Sequence, residues 1–361
     1  MNRISEINVI GIKEMTDTFD RLVDSLGKHQ DTQRFLDSAK SAITLVQELL
    51  WKTETSVEEQ SRKSYAALAN YLINMVSEDL SLFKLFEQSV SDERWKSATK
   101  MVLECSQFMG VSPIPAVVLS GSGYFNTQGP PDIRTDVGKN IPKYNVVSVE
   151  QLHSPILWPN VIHELCHFLL LESGAPDKIY TSIGDYHLEI ESTQDKIAEA
   201  ICDCVATLIM GPSYPFSYLA QYFQILSNTA HIGHPSDSLR LKLMSDILFK
   251  SKMPQESKEI EDILINKLGK AWQQDELFPA FDRIIKESTQ LIRIPEYRNF
   301  RRGLTLDDFK KDTPSDVYSL FNEGWNIILS SPQPRKRTYS EVSDLILKRL
   351  KLGSFSMYSS S

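Results

Sequence analysis

Apolar residues recur at helical spacing through most of the chain. Phe19, Leu22, Val23 and Leu26 fall three and four apart, as do Phe35, Ala39, Ala42, Ile43, Val46, Leu49 and Leu50, then Tyr65, Leu68, Ala69, Leu72, Ile73 and Val76. That period puts one apolar stripe on each helix, and the polar, cap-rich segments Lys28–Asp31 and Thr53–Glu58 separate the stripes. The pattern predicts an antiparallel helical bundle over residues 1–110. From Gly110 to Pro142, Gly and Pro punctuate the sequence, and Val-rich runs at Ala116–Leu119 and Tyr144–Val149 suit short strands of a small sheet. Trp158-Pro159 opens a helix that Gly174 closes, because proline suits a helix's first turn and glycine its end. A second helix is expected from Thr193 to Met210, with Ser192 and Asp195 at its start and Gly211-Pro212 as its stop. From Pro215 to about Leu352 the texture is again helical, with a Ser-rich tail after Gly353. The expectation is a mainly α protein with a small β-sheet (α+β). Its parts are a helical bundle (1–110), a core (111–253), a C-terminal helical region (254–353) and a flexible tail (354–361).

Composition narrows the function classes. At 361 residues, with 41% hydrophobic and 24% charged positions, the chain has the material for about two folded units and does not read as disordered or fibrous. A net charge of -8 argues against an electrostatic grip on nucleic acid or anionic lipid, and the basic runs Arg298–Arg302 and Arg335–Arg337 are too short to reverse that. No apolar stretch reaches membrane-spanning length, and Met1–Gly11 lacks a secretory pattern. The four cysteines, Cys105, Cys166, Cys202 and Cys204, read as reduced, buried thiols. The expected setting is the cytoplasm, with no membrane and no nucleic acid partner.

Chemistry concentrates in His163-Glu164-Leu165-Cys166-His167, an H-E-x-x-H pattern. Histidines four apart lie on one helix face, where both imidazoles reach one Zn²⁺, and Glu164 stands beside the position where water would bind. A catalytic zinc site needs a third protein ligand. Glu199 on the next helix supplies it, and Asp203, one turn on, can hold the far nitrogen of a ligand histidine. The run Ile197 to Ile209 is otherwise almost wholly apolar, so it is read as buried, and buried carboxylates call for a cation. A thiolate site is disfavoured, because Cys166 cannot share the face of the two histidines and Cys202 and Cys204 point in nearly opposite directions. Downstream, His234-Pro235 and Arg240 are placed to return to the cleft, where a donor would steady an oxyanion. Tyr214 is a further candidate donor.

Taken in order, His163-Glu164-x-x-His167, Glu199-x-x-x-Asp203 and His234-Pro235 with Arg240 resemble the gluzincin metallopeptidases. They look most like the HtpX and CAAX-endopeptidase class and, more loosely, the ImmA/IrrE type. The likeness covers about Asn145 to Met244, and the membrane helices typical of HtpX-like enzymes are missing. It implies a zincin-like catalytic core set in helical domains, one Zn²⁺ per chain on His163, His167 and Glu199, and Glu164 as general base. Asp203 would support a ligand, and His234 and Arg240 would face the cleft. The strand Tyr144–Val149 would be an edge aligning a protein or peptide substrate, with Ser173–Glu191 (Asp177, Tyr180, Asp185, Tyr186, His187) as a cleft wall. The resulting expectation is a selective zinc endopeptidase whose helical flanks meet a regulatory partner. The rival readings are a helical interaction protein with a silent zinc site, and a zinc hydrolase of a non-peptide amide.

Overall fold

A computed structural model of the chain describes residues 33–112, 114–119, 124–128, 144–149, 154–183, 190–229, 233–295, 298–332, 335–352 and 356–358. The fold is mainly helical with one small sheet. Three helices come first, α1 (Gln33–Thr55), α2 (Glu59–Val90) and α3 (Trp95–Met109), then strands β1 (Ala116–Leu119), β2 (Tyr124–Gln128) and β3 (Tyr144–Val149). The helix break expected at Thr53–Glu58 falls between α1 and α2. The expected stripe from Phe19 to Leu26 and the segment Lys28–Asp31 lie outside the described residues.

The strands form one sheet in the order β1-β3-β2. Two corrections follow. The strand β2 carried no clear alternating signal and was not anticipated. The strand Tyr144–Val149, expected as an edge, is the central strand. A central strand spends its backbone groups on both neighbours, which leaves none for a substrate backbone.

The chain divides into two compact units, one of residues 1–95, 113–120 and 126–147, the other of 96–112, 121–125 and 148–361. In the first, α1 and α2 pack on each other and bury Val46, Leu49, Ala69 and Phe86. Trp95 meets Phe86 edge-on at 5.5 Å and donates its indole N–H to the carbonyl of Val117 at 2.9 Å, while Ser89 Oγ accepts from the backbone N–H of Leu119 at 2.7 Å. A buried indole needs such an acceptor, and here the sheet supplies it.

In the second unit, a 3₁₀ turn (Pro155–Asn160) leads into α4 (Val161–Ser173), followed by α5 (Ala175–Ile183), α6 (Ile190–Met210), α7 (Ser213–Tyr222) and α8 (Asp237–Lys250). Then come α9 (Pro254–Leu268), α10 (Phe281–Leu291), α11 (Leu306–Lys311), α12 (Val317–Ser330) and α13 (Lys336–Lys351). The helix α6 begins at Ile190, before the expected start, so Ser192 lies inside it rather than capping it. Every residue from Ala200 to Met210 is buried, and α6 is packed by α4, α5, α7, α8, α10 and α12. Caps fix the neighbours: Ser236 starts α8, Asp316 starts α12, and Thr305 with Asp308 forms a capping box on α11.

Part of the expected flexible tail is seated. The backbone N–H groups of Val317 and Tyr318 donate to the carbonyls of Ser356 and Met357 at 2.9 and 3.1 Å, Met357 is buried, and Tyr358 donates to the carbonyl of Ile209 at 2.7 Å. Ser-rich composition hid two apolar residues that find a core.

Candidate metal centre

The helix α4 is positioned by the turn before it, whose Ile156, Leu157 and Trp158 are buried, and by its own apolar face of Val161, Ile162, Leu165, Cys166 and Phe168. Gly174 ends it in the left-handed conformation, φ 60°. His163 and His167 lie one turn apart with rings edge to face, centroids 5.0 Å apart, and only 7% and 8% exposed. The packing of α4 on α6 brings Glu199 between them. Its Oε2 lies 2.9 Å from His163 Nε2 and its Oε1 3.3 Å from His167 Nε2.

These three side chains form the one group of potential metal ligands among the described residues, with donor atoms all within 4.8 Å of one another. Tetrahedral ligands about 2.0–2.1 Å from zinc stand about 3.3 Å apart, so the spacing fits. Two imidazoles and a carboxylate are also a zinc-type donor set. No cysteine belongs to the group: all four are buried and unpaired to one another.

Behind His163 lies a second layer. Asp203, with no exposed surface, places Oδ1 3.0 Å from His163 Nδ1. The same carboxylate accepts from Tyr214 Oη at 2.5 Å and from Arg240 Nε and Nη2 at 2.5 and 2.9 Å. Tyr214 Oη is also 3.1 Å from His163 Nδ1. Tyr214 and Arg240 thus meet on one carboxylate beside His163, and both also line the adjoining cavity. The Tyr214 hydroxyl is committed to Asp203 and lies beside His163 Nδ1. Arg240 spends its Nε and Nη2 on Asp203, and its guanidinium lies 4.8 Å from the centre of the Tyr218 ring. At that depth each polar group is claimed by a neighbour.

The electrostatics follow from these contacts. Burial opposes ionisation of Glu199, but the His163 charge and hydrogen bonds from His163, His167 and His234 prevail and hold its carboxyl far below the usual range. Burial likewise opposes Asp203, and Arg240 prevails to hold its carboxyl low. Burial pulls His163 down, yet Glu199 and Asp203 together push it up to about 10. The donor set thus carries its own neutralising proton, which an incoming cation has to displace.

These ligands open on a cavity of about 490 Å³ that Glu164, Asn160, Tyr218, Tyr222, His234 and Arg240 also line. His234, with a half-exposed side chain, lies with Nδ1 3.2 Å from Glu199 Oε2. Asp237, at the start of α8, accepts from the Tyr218 hydroxyl and from the backbone N–H of Ser227. Tyr218, Tyr222 and Asn160 were not anticipated. The spacing Tyr214, Tyr218, Tyr222 marks one face of α7 and was the available signal. The expected cleft wall is not formed by α5: Asp177 is tied to Gln194 at 2.9 Å, and neither Asp177 nor Tyr180 lines the cavity. Asp185, Tyr186 and His187 lie outside the described residues. No described helix is long and apolar enough to cross a membrane. Compared with known proteins, the chain matches no family model, no curated protein and no solved structure.

Proposed function

We propose that this chain is a zinc-dependent peptidase of gluzincin type, working in the cytoplasm on protein or peptide substrates. One observation carries the reading: two histidines and a glutamate converge from neighbouring buried helices, and Glu164 lines the cavity onto which they open. His163, His167 and Glu199 would hold the ion. Zinc, when bound, supplies a Lewis acid and makes water nucleophilic near neutral pH.

The protein's own part is positioning and proton transfer. Asp203 takes the hydrogen on His163 Nδ1, which leaves Nε2 free as a ligand atom. The Glu164 carboxylate receives a proton from water and returns it to the leaving amine nitrogen. His234, at the cavity mouth, donates to the developing oxyanion.

The test is a pair of measurements. The purified protein should hold about one zinc per chain, and Glu164→Gln should keep that zinc while losing about 10²–10⁴-fold in peptide hydrolysis. A protein that takes up no zinc, or an active Glu164→Gln variant, would overturn the reading.

A further inference from the structure

The wall that α7 gives to the metal-centre cavity continues past the end of that helix. Tyr218 and Tyr222 stand one turn apart on one face, with ring centres 4.9 Å apart. The backbone N–H of Ile225 donates to the carbonyl of Tyr222 at 2.9 Å, and this turn adds Ile225 to the cavity lining. Ile225 is 72% exposed, and of the large apolar side chains that stand exposed among the described residues it alone lines this cavity. Elsewhere on a surface a single exposed isoleucine needs no explanation. At the mouth of a cavity it presents an apolar face to whatever enters.

The segment that carries Ile225 is pinned. Ser227 exchanges two bonds with Asp237 at the start of α8: its N–H donates to Oδ2 at 2.7 Å and its carbonyl accepts from the Asp237 N–H at 3.1 Å. Asn228 Nδ2 donates to the carbonyl of Leu268 at the end of α9 at 3.0 Å, and Lys267 Nζ lies 4.8 Å from the centre of the Phe223 ring. Ile225 is thus held in place between Tyr222 and Ser227. The polar groups of the wall are already engaged. The Tyr218 hydroxyl donates to Asp237 Oδ1, so both oxygens of that carboxylate have donors. Arg240 is paired with Asp203, and Tyr222 Oη accepts from Gln221 Nε2 at 2.9 Å. The wall therefore holds out no unspent counter-charge, and apolar burial is what a ligand gains there. Glu164, Glu199 and Asp237 line the same cavity and disfavour an acidic group.

We propose that Tyr218, Tyr222 and Ile225 select the substrate by a large apolar side chain, of the phenylalanine or leucine class, beside the bond that is cut. The inference rests on the peptidase reading and specifies its substrate. Ile225 is the specificity-determining residue at the rim. The selected side chain meets Tyr222 and Ile225, and Tyr218, only 3% exposed, supports Tyr222.

The test is an NMR titration of the full-length Glu164→Gln protein, chosen so that peptides survive, with capped pentapeptides Gly-Gly-Xaa-Gly-Gly in which Xaa is Phe, Leu, Ala, Lys or Glu. The Phe and Leu peptides should bind saturably, with Ala about tenfold weaker or worse and Lys and Glu weaker than Leu. Adding Ile225→Asp should cut the Phe-to-Ala ratio severalfold, while Ile225→Leu should keep it; the site is exposed, so folding is not at stake. Equal affinities across the five peptides, tightest binding of Lys or Glu, an unchanged ratio in Ile225→Asp, or no saturable binding would overturn the proposal. Zinc content and wild-type hydrolysis are measured separately. A protein without zinc or hydrolysis that keeps the Phe preference sinks the peptidase reading and leaves the wall as a peptide-binding surface. A zinc-loaded, active enzyme indifferent to Xaa sinks this inference alone.

Discussion

Asp203 is the residue on which the candidate centre turns. It holds three partners with no access to water, Arg240, Tyr214 and His163. Asp203→Ala would leave the Arg240 guanidinium buried without its counter-charge and His163 without its orienting acceptor. Removing one member of a buried pair costs about 3–5 kcal/mol, and removing a ligand's outer partner costs about 10–100-fold in metal affinity. Tyr214→Phe removes one hydrogen bond and keeps the ion pair, so a loss of about 1 kcal/mol is expected. Urea unfolding and zinc competition against a chelator would read both variants, and equal losses would show that Asp203 is no more than one polar contact among several. His163, His167, Glu199 and Asp203 were legible because helical spacing alone puts them on shared faces. The partners that Tyr214 and Arg240 find were not legible, because spacing says that a side chain returns to a region and is silent on which side of a ring it arrives.

Helices were read with more success than their ends or the order of strands. The break between α1 and α2 and the close of α4 at Gly174 follow from composition, since polar segments and glycine interrupt helices for local reasons. The start of α6 and the central place of β3 depend on what lies opposite, and no local signal encodes that. Gly211, between α6 and α7, joins both kinds of constraint. Its φ is 62°, and a Cβ there would lie 2.9 Å from the Tyr318 ring. Gly211→Ala is therefore expected to destabilise by about 1–3 kcal/mol, visible as a lower thermal midpoint. The close approach to Tyr318 separates it from Gly110, whose φ is 72° but whose Cβ would meet nothing within 4 Å; Gly110→Ala should cost less.

Across the whole molecule, the four thiols share one environment. Burial pushes Cys105 and Cys204 far above their usual range, so both stay protonated in the fold. An unfolded chain releases those protons above the ordinary thiol pKa of about 8.5, and the folded chain does not. Stability is thus insensitive to this effect below that pH and falls as pH rises through it, which urea midpoints at neutral and alkaline pH would show. The thiols should also resist a thiol reagent until denaturant is added. Truncation after Leu352 would strip Met357 from its buried place, at a cost of about 1.5–3 kcal/mol for that side chain, and would leave the carbonyl of Ile209 without Tyr358.

The unit that carries the candidate metal ligands is assembled from separated stretches of chain, 96–112, 121–125 and 148–361. Within it, Cys105 touches Met357 at 3.6 Å and Phe108 stacks edge-on against Tyr358. A gene fragment beginning at the sheet would encode the ligands but not the helix that lies beneath the far end of the sequence. Such a unit cannot be shuffled between genes as one uninterrupted cassette; it has to be inherited together with the segments threaded through it.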